Sequence, residues 1–357
     1  RLFEPPSMDV LSRFNPKMRV AALFLCAASF LLDAAASASW EKLTRRRDGG
    51  FLSSASCRQR DGCRRSRDLS RMHLDVLQRA FSGPSAFATA AEEPKSPVLI
   101  CPAQLGISED YLDMISELNA RGYPAYAVDL KRLDWLELIP SSLTLAYWQG
   151  KLEPSKVLQF YYRALRRSVT SVREAHPEQR MHLVGHSIGG WIVRAFLAEE
   201  YDDDERASLF TSLTTLGTPH NPPPADSPFA QFDQTRGLLT YIADNYPGAF
   251  HSDHINYNSV VGASVKGGLG EGGLEGLLAY ASYLALCGEG DTTGDGVVPQ
   301  STALLPGSST MVLEDVKHSG FVPSLGPSIK IPGFRWYGTP DVVDQWIELL
   351  ERVKTAR

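Results

Sequence analysis

Residues 181–190 read Met-His-Leu-Val-Gly-His-Ser-Ile-Gly-Gly, and within them Gly185, Ser187 and Gly189 make a G-x-S-x-G pattern. An apolar run precedes it and a helix-forming run follows it, the strand–turn–helix context in which the pattern acquires chemical meaning. A turn that tight requires small residues two before and two after the serine, which Gly185 and Gly189 supply. Ser187 is pushed toward a strained backbone conformation that lifts its hydroxyl clear of the sheet. The helix N-terminus behind it favours developing negative charge. The chemistry this prepares is nucleophilic attack on an acyl carbon.

A serine hydroxyl needs a base, and the base needs an orienting carboxylate. Behind a strand–turn–helix serine the chain order is Ser, acid, His. Of the later histidines, His318 follows the apolar run Thr310–Leu313 and precedes Ser319-Gly320, which places it in a loop after a late strand. His220 comes early and is expected to line the site or stabilise a turn, and His251 and His254 read as exposed residues of an insertion. Asp291 and Asp295 both qualify as the acid. Asp295, in Gly294-Asp295-Gly296 ahead of Val297-Val298, is preferred, with Asp291 in reserve. A calcium-loop reading of the two aspartates lacks the closing bidentate glutamate. Two backbone donors must receive the oxyanion. They are expected at Ile188, directly after the nucleophile, and at Gln104, in the loop Pro102–Gly106 after the first strand.

The elements that must position these groups alternate. Ser96–Cys101 reads as a buried strand and Glu109–Arg121 as a helix with Tyr111, Leu112, Ile115 and Leu118 on one face, closed by Gly122. Tyr123–Leu130 reads as a strand, Pro154–Ala175 as a long helix, Met181–Gly185 as a strand, Ser187–Tyr201 as a helix and Leu209–Leu216 as a strand. Strict alternation implies an α/β protein with a parallel sheet covered on both faces. Two insertions break the rhythm, at about 221–255 and 267–294, and segments of that length read as lids or binding loops. The aromatic residues Phe229, Phe232, Tyr241, Tyr246 and Phe250 in the first would line an apolar acyl pocket or form a small core of their own. The second holds an expected short helix, Leu274–Leu286.

Together, Gly-His-Ser-Ile-Gly-Gly, Thr-Leu-Gly-Thr-Pro-His at 215–220, Gly-Asp-Gly-Val-Val-Pro at 294–299 and Lys-His-Ser-Gly at 317–320 resemble an α/β-hydrolase of the lipase/esterase type. The segment Trp336–Ile347 adds a likeness to plant and algal plastid-type hydrolases. The resemblance spans roughly residues 97–352. It implies a mostly parallel eight-stranded sheet with lid insertions, a Ser-His-Asp triad and ester hydrolysis. The chain departs from many lipases in carrying Pro102-Ala103 where they carry His-Gly.

The charge is split. The 357 residues carry a formal net charge of −5, yet residues 1–93 hold 15 basic against 10 acidic groups, leaving 21 against 31 in the remainder. A body of net −10 repels phosphate backbones, so nucleic acid is not an expected partner. Segment 1–39 reads as a signal peptide, with an apolar stretch Val20–Leu32 stopped by Asp33 ahead of Ala36-Ser37-Ala38. Segment 40–94 is Arg/Ser-rich and transit-like, and the bipartite leader points to a plastid, with the secretory route as the alternative. The hydrolase domain is expected over 95–357. Cys26, Cys57 and Cys63 lie in the leader, and Cys101 and Cys287 have neither disulfide nor zinc spacing. No cofactor or metal is implied, since no G-x-G-x-x-G after a strand, H-E-x-x-H or phosphate loop occurs. The expected activity is hydrolysis of small-molecule or lipid-like carboxylic esters through an acyl-enzyme, with peripheral membrane contact through the lid. An acyltransferase using the same triad and a catalytically silent ligand-binding protein are the alternatives.

Overall fold

The computed structural model describes residues 95–224, 233, 235–270, 272–324 and 327–352. The signal-like segment 1–39, the transit-like segment 40–94 and the lid residues Phe229 and Phe232 lie outside them.

Six strands form one parallel sheet: β1 (Val98–Cys101), β2 (Ala125–Ala127), β3 (Met181–His186), β4 (Phe210–Leu216), β5 (Asn256–Gly262) and β6 (Ser309–Leu313). Their order is β2-β1-β3-β4-β5-β6, and every neighbouring pair is parallel. The expected eight strands are thus six among the described residues. The other strands there are two-residue pairings, Val265–Lys266 with Thr293–Gly294 and Phe321–Val322 with Ile329–Lys330, outside the main sheet.

Parallel strands buried on both faces should read as unbroken apolar runs. Val98-Leu99-Ile100-Cys101 does, and all four residues are fully buried. Alternate side chains feed two separate cores. Leu99, Cys101, Leu183 and Leu213 join one with α2 (Gln159–Ala175), α3 (Ile188–Glu200) and α4 (Leu238–Asn245). Val98, Ile100, Val184 and Leu216 join the other with α1 (Leu112–Ala120) and α6 (Pro340–Trp346).

Several boundaries differ from expectation. The first helix opens as a 3₁₀ turn, Ser108–Tyr111. Its buried face is Tyr111, Met114 and Leu118, and Leu112 points outward with 58% of its surface exposed. Gly122 closes it at φ 85°, as the sequence suggested. The expected strand Tyr123–Leu130 pairs only over Ala125–Ala127, because Leu130 N–H turns back onto the Val128 carbonyl at 2.9 Å. The long helix from Pro154 is interrupted at Leu158 (φ −102°, ψ 21°), leaving a single turn before α2.

The described parts of the two insertions are anchored on the rest of the domain. α4 sinks Leu238, Leu239 and Ile242 into the core beside α3. Tyr241, Tyr246 and Phe250 stack edge-on in a row, with centroids 6.2 and 5.8 Å apart. Tyr246 lines a surface cleft with Ala198, eleven residues along α3 from Ser187. At 1.5 Å per residue that is about 16 Å away. The described aromatics therefore lie away from the serine, with Tyr241 and Tyr246 packed against the main core and Phe250 exposed. His251 in the same region is buried, not exposed, and His254 is half-buried with Nε2 3.6 Å from Asp203. In the second insertion, α5 (Gly273–Cys287) extends the expected helix by a residue at each end.

Candidate functional site

In a parallel sheet, ligand sites gather outside the carboxyl ends of the strands, where the order reverses. Here β1 lies between β2 and β3, and the predicted residues sit on loops leaving that edge. Ser187 follows β3 with φ 53° and ψ −128°, a left-handed conformation that costs a non-glycine residue of order 1–3 kcal/mol. Backbone hydrogen bonds over-determine it. Its N–H donates to the Leu216 carbonyl at 2.9 Å, and its carbonyl accepts from Thr218 Oγ1 at 2.7 Å.

The flanking glycines are sterically compelled. A Cβ on Gly185 would lie 2.4 Å from the Gly190 Cα, and one on Gly189 would lie 2.3 Å from the Cys101 carbonyl oxygen. Both obstacles are backbone. β3, α3 and the end of β1 close to this distance only because those side chains are absent.

The structure brings Asp295 and His318 together. Nδ1 of His318 stands 2.7 Å from Oδ2 of Asp295, across 23 residues of sequence. The His318 N–H also donates to the Asp295 carbonyl at 2.9 Å, so ring and backbone are both held. Asp295 Oδ1 accepts the N–H groups of Val297 at 3.0 Å and Val298 at 2.7 Å. Burial alone would raise the Asp295 pKa. The facing His318 and the hydrogen bonds from His318, Val298 and Tyr337 outweigh it and hold the carboxyl below its ordinary value. Asp291 instead pairs with Lys266 at 3.2 Å on the exposed rim, its side chain 70% accessible.

The insertion 267–294 supports this acid turn. Tyr283 of α5 donates to the Val265 carbonyl at 3.0 Å and accepts the Gly296 N–H at 2.8 Å.

The loop after β1 is a tight turn, with Gly106 N–H to the Ala103 carbonyl at 2.8 Å and Leu105 at φ 57°. Tyr161 fixes the Pro102 carbonyl at 2.7 Å, and Tyr111 Oη receives the Ala103 N–H at 2.8 Å. Arg132 and Trp135 hold the carbonyls of Leu105 and Gly106. The Gln104 amide has no partner among the described residues, and its side chain is exposed. Ile188 N–H opens α3, where the first amides have no intrahelical acceptor.

His220 is buried away from this chemistry. Its Nδ1 faces Arg194 at 3.3 Å and its Nε2 faces Thr215 Oγ1 at 3.1 Å, and burial with the Arg194 charge holds its pKa well below the ordinary value. It stabilises the turn rather than lining the site. Tyr337, His186 and Tyr111 were not assigned from sequence. Tyr337 lies in the Trp-Tyr-Gly segment near the end of the chain. His186 and Tyr111 read as an ordinary elbow neighbour and an ordinary helix-face aromatic, and no spacing rule separates such residues from core.

The family model described as alpha/beta hydrolase fold matches residues 96–256. That span contains the whole elbow and ends before Asp295 and His318. With the all-parallel sheet covered by helices on both faces, it establishes that the chain has the α/β-hydrolase fold. No curated protein matches the chain's sequence. Among solved structures it is similar to the Bacillus licheniformis lipase BlEst2 in mature form, at 16% identity over 75% of this chain and 96% of that one, TM-score 0.44. It is also similar to the phospholipase PlaB from Legionella pneumophila, at 13% identity over 73% of this chain and TM-score 0.45, and it spans 61% of that protein's length. A thermostable carboxyl esterase from Bacillus coagulans matches at 15% identity over 64% of this chain and 84% of that one, TM-score 0.35.

Proposed function

We propose that the chain is a serine hydrolase of carboxylic esters, with Ser187 as nucleophile, His318 as general base and acid, and Asp295 as the residue that orients the imidazole. The observation that carries this reading is the 2.7 Å contact between the buried Asp295 carboxylate and His318 Nδ1. An ionised acceptor there keeps the proton on Nδ1 and leaves Nε2 free to take the Ser187 proton. Attack of Oγ on the ester carbonyl gives a tetrahedral oxyanion, received by the amides of Ile188 and Gln104. His318 then protonates the departing alcohol, and water, deprotonated by the same ring, releases the acid from the acyl-enzyme.

A lipid-like acyl group fits the surface beside the Gln104 loop. Residues 132–148, tethered to that loop by Arg132 and Trp135, expose Leu133, Leu136, Ile139, Leu143, Leu145 and Trp148. We assign peripheral contact with a lipid phase to this segment, beside the lid contact expected at 221–255. An acyltransferase would differ only in the acceptor that resolves the acyl-enzyme. The test is turnover of a short-chain aryl ester with and without an added alcohol. Free acid as the dominant product supports hydrolysis, and ester formed in proportion to the alcohol at low concentration would move the protein to acyl transfer.

A further inference from the structure

His186 is the last residue of β3, directly before Ser187, and it is fully buried. Its Nε2 lies 2.9 Å from the His318 carbonyl oxygen, and its Nδ1 lies 2.8 Å from Tyr111 Oη. A carbonyl only accepts, so Nε2 must carry a proton. Burial, with the nearby His318 charge, pulls the His186 pKa down to about 3, so the ring is neutral and Nδ1 has no proton. Tyr111 Oη must therefore donate to Nδ1, and it is free to do so because the proton it receives comes from the Ala103 N–H at 2.8 Å. Every direction is forced: Ala103 N–H to Tyr111 Oη–H to His186 Nδ1, then His186 Nε2–H to the His318 carbonyl. Phe321, Trp336 and Tyr337 pack their rings against the imidazole, with centroids 5.8–6.4 Å away.

We propose that His186 and Tyr111 are positioning residues: they lock the loop that carries the Gln104 amide to the backbone of His318, so that the oxyanion donor and the base keep one spacing about Ser187. The proposal rests on the serine-hydrolase reading above. Neither side chain touches substrate. What they control is where two backbone segments stand, and a misplacement of about 1 Å can cost on the order of 10²-fold in rate.

The test uses the full chain with a soluble aryl ester and a fluorophosphonate, with active sites titrated so that rates refer to folded enzyme. Tyr111→Phe keeps the ring and removes the hydroxyl. We expect kcat and the fluorophosphonate labelling rate to fall together by about 10–100-fold with KM within about twofold, the split expected when only transition-state geometry is lost. His186→Asn, which can still donate to the His318 carbonyl, should recover part of what His186→Leu loses. Adding Tyr111→Phe to His186→Leu should cost little more, since both cut one chain. Variants that melt earlier but keep kcat per titrated site within twofold of wild type would overturn the proposal and leave the hydrolase reading standing. Wild type that is not labelled at Ser187 would overturn both.

Should a variant fail to fold, ¹⁵N-histidine NMR of the wild type decides. The relay requires a neutral His186 protonated on Nε2, and a proton on Nδ1 at neutral pH contradicts it.

Discussion

Tyr337 Oη donates to Asp295 Oδ2 at 2.7 Å, the same oxygen that faces His318 Nδ1. The phenol also accepts the Gly262 N–H at 2.9 Å, so it joins the end of β5 to the acid that follows the insertion. Burial and the adjacent carboxylate push the Tyr337 pKa well above its ordinary value, which keeps the hydroxyl a donor. Asp295 thus has both oxygens fully engaged and one fixed orientation.

Tyr337→Phe should therefore leave a buried N–H and one carboxylate lone pair unpaired, at a cost of about 1–3 kcal/mol in stability. Denaturant unfolding checks the stability and initial rates check a fall in kcat. A variant as stable and as fast as wild type would remove Tyr337 from the site.

The two aspartates separate cleanly. In a comparable triad, replacing the acid by its amide lowers kcat by about 10⁴, and Asp295→Asn should fall in that range. Asp291→Asn, which breaks only an exposed pair with Lys266, should stay within about 0.5 kcal/mol of wild-type stability and keep its rate. The reverse pattern would reassign the acid.

Gly189→Ala forces a Cβ to 2.3 Å from the Cys101 carbonyl oxygen and 2.7 Å from that of Pro102. The first ends β1 and the second opens the loop that carries the Gln104 amide, so relief of the clash moves that loop. The expectation is a loss of at least about 10²-fold in kcat, the scale of one lost oxyanion donor, alongside a lower melting temperature. Activity near wild type would mean that the approach of α3 to β1 is looser than described.

Much of this was legible beforehand. The elbow, the alternation of strands and helices, the buried run Val98–Cys101 and the pairing partners Asp295 and His318 all follow from residue type and local order. What escaped depends on distant partners. Leu112 sits beside the buried face in a helical projection, and only the docking of α1 on the core shows that Tyr111, Met114 and Leu118 face inward while Leu112 is exposed. Sequence leaves the aromatics of the first insertion open between a pocket and a core, and the docking of α4 beside α3 settles only Tyr241 and Tyr246, which pack against the main core. His186 and Tyr111 lie 75 residues apart, and nothing local in either segment announces the bond between them.

Four buried histidines contribute to the acid sensitivity of the described residues. Burial lowers the pKa of His182 to about 4, His186 to about 3 and His251 to about 4, and holds His220 well below its ordinary value. All four are neutral in the folded protein, whereas in the unfolded chain they bind protons below about pH 6.5. The unfolded state takes up more protons, so stability rises with pH across this window and falls on acidification, by up to about 1.4 kcal/mol per pH unit for each ring. The melting temperature should drop progressively from pH 7 to pH 5. A flat or rising profile would contradict the buried, uncharged assignment.

Exposed Leu143 and Leu145, at 85% and 71% of their full surface, contribute little to the fold. If they enter a lipid phase, withdrawing each costs up to about 1.5–3 kcal/mol. The pair Leu143→Asp and Leu145→Asp should then slow hydrolysis of an emulsified long-chain ester by about tenfold or more, with a soluble short-chain ester unaffected. Equal rates on both substrates would detach the patch from substrate delivery.

The most direct measurement is to label the protein with a fluorophosphonate and locate the adduct by mass spectrometry. The proposed roles of left-handed Ser187 and of the Asp295–His318 pair predict one adduct, on the peptide containing Ser187, abolished in Ser187→Ala and slowed in Asp295→Asn. An adduct elsewhere, or labelling of Ser187→Ala at the wild-type rate, would contradict the account.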